Sequence, residues 1–211
     1  MKNRNGNKLS GELEASISKG DLSALKEILN PVDINNFDGD YAPLHWAALQ
    51  GKEEIVNYLI QTGASVDLVS VASNQNALMY AVASKNDQCV TLLLSNGANP
   101  NSQMKIPSPN PEVYGGTTPL MMASNLGLYE ICKQLLDSGA RVNTQSEAGW
   151  TALFWAVYQY SDPTDLTRHF AVIKLLMDYG ADPNILNKDG GTALDEAKEK
   201  GFNHLIELLE K

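Results

Sequence analysis

The sequence predicts an all-α solenoid of stacked helix–turn–helix units. Two observations carry that expectation: a ten-residue motif that recurs five times without gaps, and a glycine–alanine mark that follows it at a locked distance. The motif reads "APLHWAALQG" at 42–51, "NALMYAVASK" at 76–85, "TPLMMASNLG" at 118–127, "TALFWAVYQY" at 151–160 and "TALDEAKEKG" at 192–201. Its shared leucines, Leu44, Leu78, Leu120, Leu153 and Leu194, fall 34, 42, 33 and 41 residues apart. Two intervals lie near 33 and two are longer, so a fixed unit carries two insertions. The mark reads "TGA" at 62–64, "NGA" at 96–98, "SGA" at 138–140 and "YGA" at 179–181. Leucine-to-glycine distances are 19, 19, 19 and 27. One insertion therefore lies inside the Leu153 unit, and the other lies between units, after Gly97 and before Leu120.

Each unit reads as two short helices. Thr118, Thr151, Thr192 and Asn76 can cap the first helix, because a side-chain oxygen satisfies amides that have no partner in the first turn. Pro43 and Pro119 fall at the first helical position, where a missing N–H costs nothing. Ala47, Ala48, Ala81, Ala123, Ala156 and Ala197 allow helices to approach closely. The second helix buries a stripe such as Ile55, Val56, Leu59 and Ile60, then ends at a glycine suited to a left-handed cap. The boundaries expected are a loose tail at 1–9 and one domain at 10–211. That domain comprises an N-cap at 10–37, repeats at 38–71, 72–104, 113–146 and 147–187, and a C-cap at 188–211. The N-cap stretch "LEASISKGDLSALKEILN" aligns Gly20 with Gly51 but lacks the motif's start. The C-cap is polar at Asp195, Glu196, Lys198, Glu199 and Lys200, as a solvated terminal face requires.

These residues resemble the ankyrin repeat, whose signature includes T-P-L-H-x-A at a period of about 33. The resemblance runs from about Leu13 to Lys211. The signature's histidine slot holds His45 once and Met79, Met121, Phe154 and Asp195 elsewhere, so histidine bonding at that slot is not expected to recur. The family plan implies hairpin fingers between units. It makes "NPNSQMKIPSPNPEVYGG" a long finger, with its insertion at 102–114, where Pro107, Pro109 and Pro111 forbid a regular helix. The other insertion, at 161–170, carries its own start signals: Asp162 as cap, Pro163 at the first position, Asp165 in a capping box. Leu166, Phe170, Ile173 and Met177 then keep helical spacing, which predicts a second helix starting near Pro163 and about two turns longer than its siblings.

Composition narrows the function. Hydrophobic residues at 43% and charged residues at 19% describe an ordinary globular chain. No apolar run approaches the roughly 18 residues of a membrane helix, and "MKNRNGNKLSGELEAS" has no apolar stretch behind its charges. A cytoplasmic location is expected, although a leader already removed would leave no trace. A net charge of −9 disfavours nucleic acid and favours a partner with basic residues. Cys89 and Cys132 occupy stripe slots of second helices and read as core thiols. His45, His169 and His204 lie in three different units, the first structural and the others on helix surfaces. No nucleophile–base, phosphate-loop or metal-ligand spacing appears, so no catalytic residue, cofactor or metal is expected. The glycines of "GGTTPL" have counterparts at Gly39, Gly149 and Gly190, which makes them finger turns rather than an anion site. An enzyme or small-molecule binder would instead need a deep pocket near residues 105–116.

What remains is surface. The slot after His45 holds Trp46, Tyr80, Met122, Trp155 and finally Glu196, a row expected to line the concave face that the family plan implies. Leu49, Gln50, Asn125, Tyr158 and Gln159 lie beside it. The fingers add Asp38, Asp40, Tyr41, Tyr114, Glu147 and Trp150. Aromatic rings edged by acids and amides are the composition of a protein-binding patch. The expectation is a monomeric, non-enzymatic module that binds another protein through Tyr41, Trp46, Leu49, Gln50, Tyr80, Tyr114, Met122, Asn125, Trp150, Trp155, Tyr158 and Gln159. The alternative is a dedicated inhibitor or immunity protein of one enzyme, or a secreted effector that captures a host protein.

Overall fold

Short helices begin where a side chain can stand in for the acceptors that the first turn lacks. The computed structural model describes residues 4–29, 34–35, 41–71, 73–104, 115–160 and 166–211, with 4–10 and 166–167 described by backbone alone. In it the Asn76 side chain accepts from the Met79 amide, and Thr118, Thr151 and Thr192 accept from the amides of Met121, Phe154 and Asp195. Thr192 also closes a reciprocal box, because Asp195 accepts from the Thr192 amide at 3.1 Å. Pro43 and Pro119 open their helices.

Twelve helices result among the described residues. The first six are α1 (Arg4–Lys19), α2 (Leu22–Leu29), α3 (Pro43–Leu49), α4 (Glu53–Gln61), α5 (Ala77–Ala83) and α6 (Asp87–Ser95). The others are α7 (Pro119–Asn125), α8 (Tyr129–Asp137), α9 (Ala152–Gln159), α10 (Leu166–Asp178), α11 (Ala193–Glu199) and α12 (Asn203–Leu209). The fold is the all-α ankyrin architecture. The described residues include one isolated antiparallel β-bridge, Val69–Asn76.

The chain divides into two compact units, Met1–Asn99 and Pro100–Lys211, where the sequence suggests a single domain at 10–211. The division falls just before the one insertion that separates two repeats. In the first unit α3 packs on α1, α4 and α5, and α6 on α4 and α5. In the second, α9 packs on α7, α10 and α11, while α8 lies against α7 and α10. The leucine slot is the centre of each stack: Leu44, Leu78, Leu120 and Leu153 are between 0% and 3% exposed. The stripe residues Ile55, Val56 and Leu59 are buried, as are Cys89 and Cys132 in the equivalent slots.

Two expectations need correction. Helix α1 starts at Arg4, so the backbone at 4–9 is helical rather than a loose tail. Helix α10 has 13 described residues against nine in α4, α6 and α8. Its expected start at Pro163 lies outside the described residues. His169 is not a surface residue: it is 6% exposed, and its Nε2 donates to the Asn125 carbonyl at 3.1 Å. Asn125 ends α7, so this ring satisfies a carbonyl that the helix leaves open.

An asparagine ladder ties successive turns together. Asn35 donates to the Gly63 carbonyl and accepts from the Ser65 amide at 3.0 and 2.7 Å. Asn101 does the same with Gly139 and Arg141 at 3.0 and 2.8 Å, and Asn143 with Gly180 and Asp182 at 3.0 and 2.9 Å. Asp67 holds the same slot. Its carboxylate accepts from the Asn99 amide at 3.0 Å, but it has no proton with which to reach the equivalent carbonyl, Gly97. Asp67→Asn supplies that donor and is expected to stabilise the first unit by about 0.5–1 kcal/mol. Urea denaturation checks this; an unchanged or lower midpoint removes the rung from the account.

Candidate protein-binding surface

His45 shows how a finger is fixed to a helix. The Ala42 amide donates to Nδ1 at 3.0 Å, so the ring proton sits on Nε2 and donates to the Leu68 carbonyl at 2.7 Å. The ring is 2% exposed, and burial lowers its pKa from 6.5, with the Leu68 bond opposing. His45 therefore stays neutral in the fold while the unfolded chain gains a proton as pH falls below 6.5. The unfolded state then binds more protons, and stability drops with pH. Urea midpoints are expected to fall between pH 6.5 and 5, and His45→Gln should flatten that part of the curve. An equal slope in both proteins contradicts this role.

In the first unit, Tyr41 lies 5.2 Å from Trp46 and 5.8 Å from Tyr80, centroid to centroid. Tyr80 is only 6% exposed. Its hydroxyl sits 3.0 Å from Ser70 Oγ and 2.6 Å from Ser73 Oγ, which anchors the finger at 68–76. The structure makes Tyr80 a buried support rather than an open contact. Tyr41, Trp46 and Leu49 are half-buried, and Gln50 is exposed.

In the second unit, Trp150 lies at the centre of three other rings. It lies 5.1 Å from Phe154, 4.4 Å from Trp155 and 5.5 Å from Tyr158. Trp155, like Tyr80, is 6% exposed, its area spent on these neighbours. Tyr158 keeps 44% exposure. Gln159 donates to Asn125 Oδ1 at 2.8 Å, and Met122, Asn125, Trp150 and Gln159 are half-buried. Glu147 is exposed beside Trp150. Tyr114, Asp38, Asp40 and Gly39 lie outside the described residues, as does most of the 105–116 stretch.

Backbone bonds between fingers hold the base of this surface. Gly116 and Thr117 bracket Met104, since the Gly116 amide donates to Met104 at 2.8 Å and the Met104 amide to Thr117 at 2.9 Å. The Glu147 amide donates to Gly115 at 2.7 Å, and the Lys188 amide to Ala148 at 3.0 Å. The glycines of "GGTTPL" thus serve finger geometry.

The two thiols are turned inward. Burial pushes both thiols up to about 12; Glu53 and Asp87 add to the effect at Cys89, and a Ser124 bond opposes it at Cys132. His204 is exposed and pairs with the Tyr160 hydroxyl at 2.5 Å. No group of three or more His, Cys, Asp or Glu among the described residues is placed to hold a metal. None of the described helices is long and apolar enough to cross a membrane.

The family model described as "Ankyrin repeats (3 copies)" matches residues 13–104 and 106–184. The chain belongs to the ankyrin-repeat family. Ankyrin repeats mediate protein–protein interaction and generally lack catalytic chemistry of their own. The mouse B-cell lymphoma 3 protein homolog is 36% identical over 109 residues, 52% of this chain and 22% of that protein's length. An ankyrin repeat domain from Acinetobacter baumannii superposes with a TM-score of 0.79 at 26% identity, covering 93% of this chain and 95% of the other. A chain from the structure of a Bdellovibrio bacteriovorus predatory endopeptidase in complex with an immunity protein gives 0.75 at 28% identity, covering 94% and 96%.

Two signals in this ankyrin chain escape a reading based on the motif alone. The ladder slot lies four residues after each marking glycine, at Asp67, Asn101, Asn143 and Asn184. The Glu196–Lys200 pair shows helical i,i+4 spacing, but its contact with Tyr158, 42 residues away, leaves no local trace.

Proposed function

We propose that the chain is a non-enzymatic module that binds one partner protein through its finger-side aromatic residues. The observation that carries this reading is found in each unit by itself: half-buried Tyr41 and Trp46 beside the buried Tyr80 in the first, and half-buried Trp150 and exposed Tyr158 beside the buried Trp155 in the second. Large rings held in place from below lose little freedom on contact, which is the property of binding hot spots. Gln50, Asn125, Gln159 and Glu147 supply polar register around them. The excess of acidic residues calls for a basic contact surface on the partner, with association that slows as salt rises. Inward-facing thiols and a structural His45 favour binding over catalysis.

A second reading, that of a dedicated inhibitor of one enzyme, is favoured by the likeness to a chain of the endopeptidase–immunity protein complex. Affinity capture from the native source separates the two. Tagged wild type is compared with a Trp46→Ala/Tyr158→Ala variant of equal stability. A single enriched protein that the variant fails to capture supports the module. If that protein is an enzyme and addition of the chain abolishes its activity, the inhibitor reading holds. Equal capture by wild type and variant removes the aromatic surface from both.

A further inference from the structure

Lys200 shows in miniature what the surface around Tyr158 can bind. Its ammonium lies 4.7 Å from the centroid of the Tyr158 ring. It donates to the Tyr158 carbonyl at 2.7 Å and pairs with Glu196 Oε1 at 2.8 Å. An ammonium has three donors and no acceptor, and here they meet a carbonyl, a carboxylate and a π face. The Lys200 and Glu196 side chains keep 24% and 18% exposure and Tyr158 keeps 44%, so the nitrogen's position is open to solvent. Lys200 caps α11, and Tyr158 belongs to α9; the contact joins two partly exposed residues of neighbouring helices rather than the core.

We propose that the Tyr158 ring, the Tyr158 carbonyl and the Glu196 carboxylate form a primary-ammonium site for a lysine of the partner, with Lys200 as an internal stand-in that the incoming lysine replaces. This rests on the protein-binding reading above. Acceptors converging on one nitrogen suit the compact, rotatable lysine head better than the planar arginine fork. Displacement costs little, because a partly exposed ion pair contributes at most modestly and its lysine returns to water. The tethered lysine acts at a local concentration in the millimolar range, which a lysine delivered within a docked interface matches. The chain's charge of −9 favours the exchange in the same direction.

The test uses the full chain and a blocked lysine, N-acetyl-lysine methylamide, titrated while the ring and amide signals of Tyr158 are followed by NMR. Lys200→Ala is expected to bind it about three- to fivefold more tightly than wild type. Adding Glu196→Gln should return affinity to the wild-type level. The arginine analogue and the Nε-acetylated lysine are expected to bind more weakly than blocked lysine. Circular dichroism confirms that each variant is folded. Equal binding by Lys200→Ala and wild type, absence of binding to both, or no preference for the free ammonium overturns the site. Its failure is separable from that of the protein-binding reading: if the Trp46→Ala/Tyr158→Ala variant still loses partner capture, the surface stands and only the ammonium assignment falls.

Discussion

Leu153→Ala lowers the stability of the Pro100–Lys211 unit by about 2–5 kcal/mol. Leu153 is 1% exposed and sits in α9, which packs on α7, α10 and α11. Removing its branched end opens a cavity in the helix on which three others pack, and the short helices around it have little freedom to close the gap. A unit of this size has about 5–15 kcal/mol in total, so the loss takes a large share. Trp150 and Trp155 report this unit, and Trp46 reports the other, so urea unfolding followed by fluorescence reads the effect locally. Because repeats act mainly on their neighbours, the damage should spread along the second unit before it is felt elsewhere. A change below about 1 kcal/mol would mean that the leucine slot is not the packing centre.

Gly149→Ala is expected to cost a similar amount, about 2–5 kcal/mol, for two separable reasons. Gly149 has φ of 79°, a conformation that a side chain disfavours. A Cβ there would also meet the Asn187 Cα at 2.8 Å and the Lys188 nitrogen at 3.0 Å, both backbone atoms of the next finger. Gly190 is the matched control, with φ of 80° and nothing within 4 Å of the added carbon. Gly190→Ala should therefore show the conformational part alone, about 1–2 kcal/mol. The difference isolates the finger-to-finger packing that the Lys188–Ala148 bond accompanies. Equal costs at the two positions would show that this packing contributes nothing.

The features legible in the sequence were those with local causes. Asn76, Thr118, Thr151 and Thr192 cap as expected because a cap needs only three neighbouring residues. The leucine slot and the marking glycines repeat at fixed spacing, so the stacking order follows from them. The burial of Tyr80 and Trp155 was not legible. Each ring is covered by the finger that leads into its own helix, whose fold the motif spacing does not specify: Ser70 and Ser73 hold one, and Trp150 lies over the other. The burial of His169 has a non-local cause, since its carbonyl partner at Asn125 is 44 residues away. Among the site residues, the alternation of buried support and open ring decides which positions can touch a partner. That alternation depends on finger placement, which pattern alone does not encode.

The affinity of the captured partner for the surface variant tests the central claim most directly. Isothermal titration compares wild type with Trp46→Ala/Tyr158→Ala, once denaturation midpoints show both to be folded. Loss of the two rings is expected to weaken binding by about tenfold or more, the scale of truncated hot-spot aromatics. An unchanged dissociation constant, with the variant intact, would contradict the claim that these rings are the binding surface.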